Sequence, residues 1–338
     1  MELFRYIRYA LLAFTVTGIV ASCRINEDLS VCGMFQMKYE VKLQTNVHTE
    51  LRTELNTVDE VELGKRLMEE LSGFFTDHAH DLDLSFYKLQ QPQNLAHHEY
   101  HYIGSNSASF SIYLPAEDYR HLAIANADGE KHVQHNPEAA LPSEYSLKQT
   151  VADTVDSHTI GLFSARKDIE VKGNIDQVLH VPLYMANAAA ALVINPNGNE
   201  PRKVEMFLTD LATEFSVQDS TFLFQHSPIV RTHRMADTGS DLICCYGMGF
   251  PSRDAHAQPQ LTRAGANEGL WRIIVHVTMP DNRITRTVLT VPDPLNAGYL
   301  KVIKAHLMPN GALVPNRQEV GANVELDWKD GGEYNPII

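Results

Sequence analysis

"FQMKYEVKL" (Phe35 to Leu43) alternates without a break. Phe35, Met37, Tyr39, Val41 and Leu43 fall on one side, and Gln36, Lys38, Glu40 and Lys42 on the other. Successive side chains of an extended chain point to opposite faces, so a strict period of two predicts a strand with one dry and one wet face. The pattern then changes. Thr57 stands three residues before Glu60, the spacing of a capping box, and Leu63, Leu67, Leu71 and Phe74 recur at helical intervals. A helix over about Asp59 to Phe75, lying across a sheet, is predicted.

Strand patterns return in "LDLSFYKL" (Leu82 to Leu89), "ASFSIYLP" (Ala108 to Pro115) and "HLAIANA" (His121 to Ala127), with a turn at "ADGE" (Ala127 to Glu130). His132 to Asp156 is polar and proline-containing and reads as a long loop or short helix. "LFSARKDIEVKG" and "QVLHVPLY" bring strands back up to about Tyr184. A second series starts at "AAAALVINP" (Ala188 to Pro196). It continues through "RKVEMFLTD", "TFLFQH", "DLICCYGM", "LWRIIVHVTMP", "NRITRTVLTV" and "YLKVIKAHLM", with a hairpin at Met279 to Ile284. In the closing strand Val320, Ala322, Val324, Leu326 and Trp328 share the apolar face. Many short strands in two successive sets, with one clear helix, predict an all-β chain with one or two short helices. Its architecture is two antiparallel β-sandwiches in tandem, residues 33–186 and 187–338. No sequence period relates the two.

Upstream, "MELFRYIRYALLAFTVTGIVASC" places Arg5 and Arg8 before thirteen mostly apolar residues, Tyr9 to Ala21. That is the grammar of a secretory signal, too short for a membrane-spanning helix. Val20-Ala21-Ser22 runs straight into a cysteine, as in a bacterial lipobox. Residues 1–22 are therefore expected to be removed. Cys23 is the expected first mature residue and the site of lipidation, and residues 23–32 a tether; two or more acyl chains anchor firmly where one does not. The remaining 316 residues carry 26 basic and 41 acidic side chains, near −15 with histidines neutral, once two Arg and one Glu leave with the signal. Such a surface argues against nucleic acid as a partner.

Cys32, Cys244 and Cys245 complete the cysteines, an odd number that allows one internal bridge at most. Cys244 and Cys245 are strand neighbours facing opposite ways, so a bond between them would strain the backbone. Sixteen histidines raise the question of a metal. In "HHEYH", His97, Glu99 and His101 would share a face of a strand, but the spacing is not that of a zincin and no fourth ligand is identifiable. His78, His80, His132 and His135 read as surface residues. No nucleophile elbow, phosphate loop or dinucleotide-binding glycine pattern occurs. No catalytic residue, cofactor or metal is therefore assigned. Trp271 and Trp328 lie in phase with apolar strand faces and read as core.

The opening now finds a match. Cys23, followed by "DLSVCG" with Asp28, Ser30 and Cys32 and then the strand containing "KYEV", resembles the start of the FimB-type fimbrial anchor lipoproteins of Bacteroidales. In that family a lipidated cysteine precedes Asp-x-Ser-x-Cys-Pro; Gly33 replaces the proline. "FSIYLPAEDYRHLAIAN", "LFSARKDIEV" and "VGANVELDWKDGGEYNP" extend the likeness along the chain, while "YMANAAA" stands where an arginine is often found. The resemblance implies two transthyretin-like sandwiches, lipid-anchored to the outer membrane at the cell surface, that seat the base of a fimbrium and limit its length. It implies fimbrial stalk subunits as partners, joined by strand donation, with host or bacterial surface ligands met only indirectly. It also implies that the anchor keeps its first strand, although Arg52 in "HTELRTEL" offers a protease target just beyond it. Two other readings share the sequence: a surface adhesin or glycan- or protein-binding lipoprotein of the same fold, and a metal-dependent hydrolase built on the histidine-rich loops.

Overall fold

The computed structural model describes residues 34–44, 58–72, 74, 80–90, 93–103, 109–173, 175, 177–226, 228–253, 270–317 and 320–325. The signal segment, Cys23, Cys32, Arg52, Thr57, His78, Leu326 and Trp328 lie outside the described residues. In chain order the elements are β1 (Met34–Gln44), α1 (Val58–Leu71), β2 (Asp81–Lys88), β3 (Leu95–Tyr102), β4 (Ser109–Pro115) and β5 (Asp118–Ala125). Three short strands follow, β6 (Val133–His135), β7 (Ser146–Gln149) and β8 (Thr154–Asp156), and then β9 (Phe163–Glu170) and β10 (Gln177–Met185). The second series is β11 (Ala188–Asn195), β12 (Lys203–Thr209), β13 (Glu214–Ser216), β14 (Thr221–Leu223), β15 (Ile229–Arg231) and β16 (His233–Arg234). It ends with β17 (Ile243–Gly249), β18 (Trp271–Thr278), β19 (Ile284–Val291), β20 (Leu300–Leu307), β21 (Leu313–Pro315) and β22 (Gly321–Glu325).

The alternation of β1 is realised: Met37 and Tyr39 are buried, while Gln36 and Lys38 are exposed. The strand lies inside a seven-stranded sheet of order β3-β2-β5-β9-β10-β1-β4. This sheet folds over on itself. β5 and β9 pair along eight residues, whereas β9 and β10 pair only at Ser164–Tyr184 and Phe163–Met185. The two flaps close on Met37, Tyr39, Leu84, Phe86, Ile112, Leu114, Phe163 and Val181, a sandwich made from one folded sheet.

A second sandwich stacks the sheet β16-β17-β11-β20-β21 on the sheet β22-β19-β18-β12-β15-β8. Even-numbered residues of β11 (Ala190, Leu192, Ile194) enter the core between these sheets, with Trp271, Ile273 and Leu289. Odd-numbered ones (Ala189, Ala191, Val193) face the other way and meet Leu63, Leu67 and Leu71 of α1. A strand covered on both faces reads as an unbroken apolar run, which accounts for "AAAALVI". Alanines on the helix side let α1 approach closely. The helix ends earlier than Phe75, at Leu71, but Phe74 still packs in the same cluster. The expected hairpin turn is present, with Asn282 in the left-handed region at φ 64° and Met279 N–H donating to the Arg283 carbonyl.

Two expectations are corrected. His132 to Asp156 is not a loop or short helix: it forms β6, β7 and β8 around a single 3-10 turn at Pro142–Glu144. β6 and β7 join β13 and β14 in a four-stranded sheet, and β8 runs parallel to β15. Strands of three or four residues are too short to show a period, and partners distant in sequence stabilise them. In β22, Ala322 and Val324 are exposed rather than buried, because the strand is the edge of its sheet; only Val320 just before it enters the core. The sheets are mainly antiparallel, with parallel pairs at β1–β10, β11–β20 and β8–β15.

Candidate functional site

β1 is the element on which the expected role turns, and it is held from both sides. It pairs in parallel with β10 from Met37–Gln177 to Gln44–Tyr184, and antiparallel with β4 from Met34–Pro115 to Glu40–Ser109. On its outer face Gln36 donates to the Ser111 hydroxyl at 2.8 Å, and Glu40 takes Lys38 at 2.6 Å and His180 at 2.9 Å. The hydrogen bond from Lys38 leads the effects that hold the Glu40 carboxyl below its ordinary range.

On the inner face a buried polar chain fixes the strand. The Ser85 carbonyl lies 3.1 Å from His121 Nδ1 and can only accept, so Nδ1 carries the proton. Nε2 therefore accepts the Tyr39 hydroxyl at 2.6 Å. Phe86 stacks on the imidazole with centroids 4.3 Å apart. Burial drives the His121 pKa down to about 3, so the ring is neutral and its tautomer fixed. Tyr39 thereby links the flap containing β1 to the one containing β2 and β5.

The two edges of the folded sheet differ in chemistry. β4 reads Ser-Phe-Ser-Ile-Tyr-Leu-Pro and has no charged side chain. β3 is polar: His97 and His101 each lie 2.7 Å from a different oxygen of Glu99. Burial raises the Glu99 pKa, but hydrogen bonds from the two imidazoles outweigh it and leave the carboxyl below its ordinary value. On the opposite face His98 donates to the buried Asp83 at 2.8 Å, and Tyr145 O–H bonds the other oxygen of that carboxylate. Desolvation nevertheless raises the Asp83 pKa. His97, Glu99 and His101 do share one face, as the spacing allows, but as a carboxylate bridged by two rings. Among the described residues no group of three His, Cys, Asp or Glu side chains is arranged to hold a metal ion.

Cys244 and Cys245 are free and buried. Cys244 faces α1 and Cys245 the core between the sheets, and burial pushes both thiols up, the reverse of an activated nucleophile. Trp271 is fully buried and donates from Nε1 to the Asp293 carbonyl at 2.9 Å. His121 and His158, the histidines most altered by their surroundings, carry no sequence signal; only the fold reveals them. No helix among the described residues is long and apolar enough to cross a membrane.

Two sandwiches, a covering helix and a first strand paired on both edges define a β-sandwich scaffold. Comparison with solved structures agrees on the fold. A proposed adhesin from Bacteroides ovatus superposes with a TM-score of 0.53 at 9% identity, over 91% of this chain and 98% of its own. Another from Bacteroides thetaiotaomicron gives 0.50 at 12% identity, over 85% and 95%. The fimbrial anchor protein Mfa2 from Porphyromonas gingivalis gives 0.48 at 10% identity, over 87% and 99%. No match was found among curated proteins. Residues 53–219 match the model of the fimbrillin-A associated anchor proteins Mfa1 and Mfa2. Over that stretch the chain is similar to this fimbrial anchor family, in line with the resemblance of its sequence. The family is a structural one, not an enzyme family.

Proposed function

We propose that this chain is the base subunit of a fimbria, lipidated at Cys23, anchored to the outer membrane and acting to seat the filament and limit its length. In this reading residues 1–22 are the signal, 23–32 the tether, and 33–186 and 187–338 the two sandwich regions. The observation that carries it is the position of β1, paired on both edges within its own sheet and tied inward through Tyr39 and His121. A subunit whose first strand stays in place offers no vacancy there for a neighbour's donated strand, so growth stops at it. The match of residues 53–219 to the anchor family model supports the same reading.

The test is isolation of the lipidated protein from the membranes of filament-bearing cells, with deletion of its gene in parallel. Filament subunits should copurify with it, and filaments without it should be longer and shed into the medium. A protein recovered alone, beside filaments of normal length and attachment, would reject the proposal.

A further inference from the structure

The folded sheet has a seam. β9 and β10 are each fully paired on their far edges, to β5 and β1, but to each other only at two residue pairs. Pro182 accounts for the opening. The His180 carbonyl points across the seam, taking Lys167 Nζ at 2.9 Å. Residue 182, two further along the strand, presents its backbone to the same side and, being proline, has no N–H to donate. The far end of the seam is closed by Gln177, which accepts from Lys172 N–H and donates to the Glu170 carbonyl.

A cavity of about 680 Å³ occupies this place, bounded by residues 164–168 of β9, by Val181, Pro182, Tyr184 and Met185 of β10, and by the β13–β14 hairpin. Lining by consecutive residues puts it between the strands rather than over one face, since alternate side chains of a strand point to opposite sides. Its size is that of a ligand cleft. The walls are largely apolar, with Val217, Phe222 and Tyr184, and Tyr184 is 61% exposed. At the rim stand Arg166 and Lys167, while the adjacent Asp168 is already neutralised by Arg120 at 2.9 Å. The rim is therefore locally positive on a chain of formal charge −14.

We propose that this seam accepts an extended peptide of a filament subunit, apolar at alternate positions and acidic where it passes Arg166 and Lys167. The assignment rests on the anchor reading above and places its contact at the seam, away from β1. Facing strand edges suit an extended backbone, the apolar pocket selects alternate side chains, and the positive rim selects acidic neighbours. The incoming chain would replace Lys167 Nζ at the His180 carbonyl, freeing that amine for an acidic partner.

The experiment places a photo-crosslinking benzophenone residue at Tyr184 of the full-length protein in filament-bearing cells, and identifies the joined peptide by mass spectrometry. The expected product is an acidic, alternating segment of a filament subunit, with a yield that falls as salt rises. Arg166→Glu should lower that yield by about tenfold without moving the thermal midpoint. Lys167→Glu, made separately, provides the same readout should the first variant fold poorly. Crosslinks to glycan, to an unrelated part of the subunit, or in a yield indifferent to both charge reversals would overturn the assignment. If filament subunits copurify but never crosslink from Tyr184, the seam proposal falls alone. If none copurify at all, the anchor reading falls with it.

Discussion

Tyr39 and His121 show how one residue pair can decide whether a strand stays or leaves. Tyr39→Phe would leave His121 Nε2 buried without its donor, at a cost of about 1–3 kcal/mol, and should make β1 the first segment cut in limited proteolysis. His121 and His158 also set a pH dependence. Burial lowers their pKa values to about 3 and about 4, His158 despite the opposing charge of Glu130. The unfolded chain takes up these protons near pH 6.5, so between there and the folded values it binds more protons than the folded protein. Stability must fall as pH drops through that window, by about 2 kcal/mol per histidine at pH 5 relative to neutral pH. Urea midpoints at pH 7.5 and pH 5 check this, and an unchanged midpoint would contradict the assigned protonation. Sequence treated histidine as a question of clusters, and neither of these two sits in a cluster. Their chemistry comes from burial between strands distant in the chain.

Helix α1 was legible as a leucine stripe, but not the sheet it would cover. It follows β1 in sequence, yet lies on the outer face of β17, β11 and β20, with Lys304 pairing with Glu60 at 3.0 Å and Tyr246 O–H donating to Glu70 at 3.1 Å. Leu67→Ala should cost about 2–5 kcal/mol and raise hydrogen exchange more in β11 and β17 than in β2 or β5; a larger increase in β2 and β5 would argue against this placement. Long strands were readable from residues alone: β1 falls where its alternation put it, and β2, β5, β18 and β19 overlap the strand-like runs that marked them. β6, β7 and β8 were not, because three or four residues carry no period and their stability comes from partners far along the chain. The β3 cluster was readable as a shared face, while its outcome, one carboxylate between two imidazoles, depended on side-chain geometry that spacing leaves open.

The elements before and after residue 186 are interlocked. α1, β7 and β8 come from the first part of the chain and complete layers built by β11, β13 and β15. We therefore expect a single cooperative unfolding transition, with calorimetric and van't Hoff enthalpies equal, and no stable fold for residues 187–338 expressed alone. Two separate transitions would show instead that the sandwiches are independent. A fused body of this kind is consistent with the proposed anchor role, in which the chain would pass load from a filament to a membrane. In the proposed reading, lipid attachment at Cys23 and retention of β1 both concern the N-terminal segment, so one measurement addresses both. Intact filaments are purified from cells, and the N-terminal peptide of this protein within them is identified by mass spectrometry. The account predicts an acylated Cys23 continuous with an uncut Met34–Gln44. An unmodified cysteine, or a new N-terminus beyond Arg52, would contradict it.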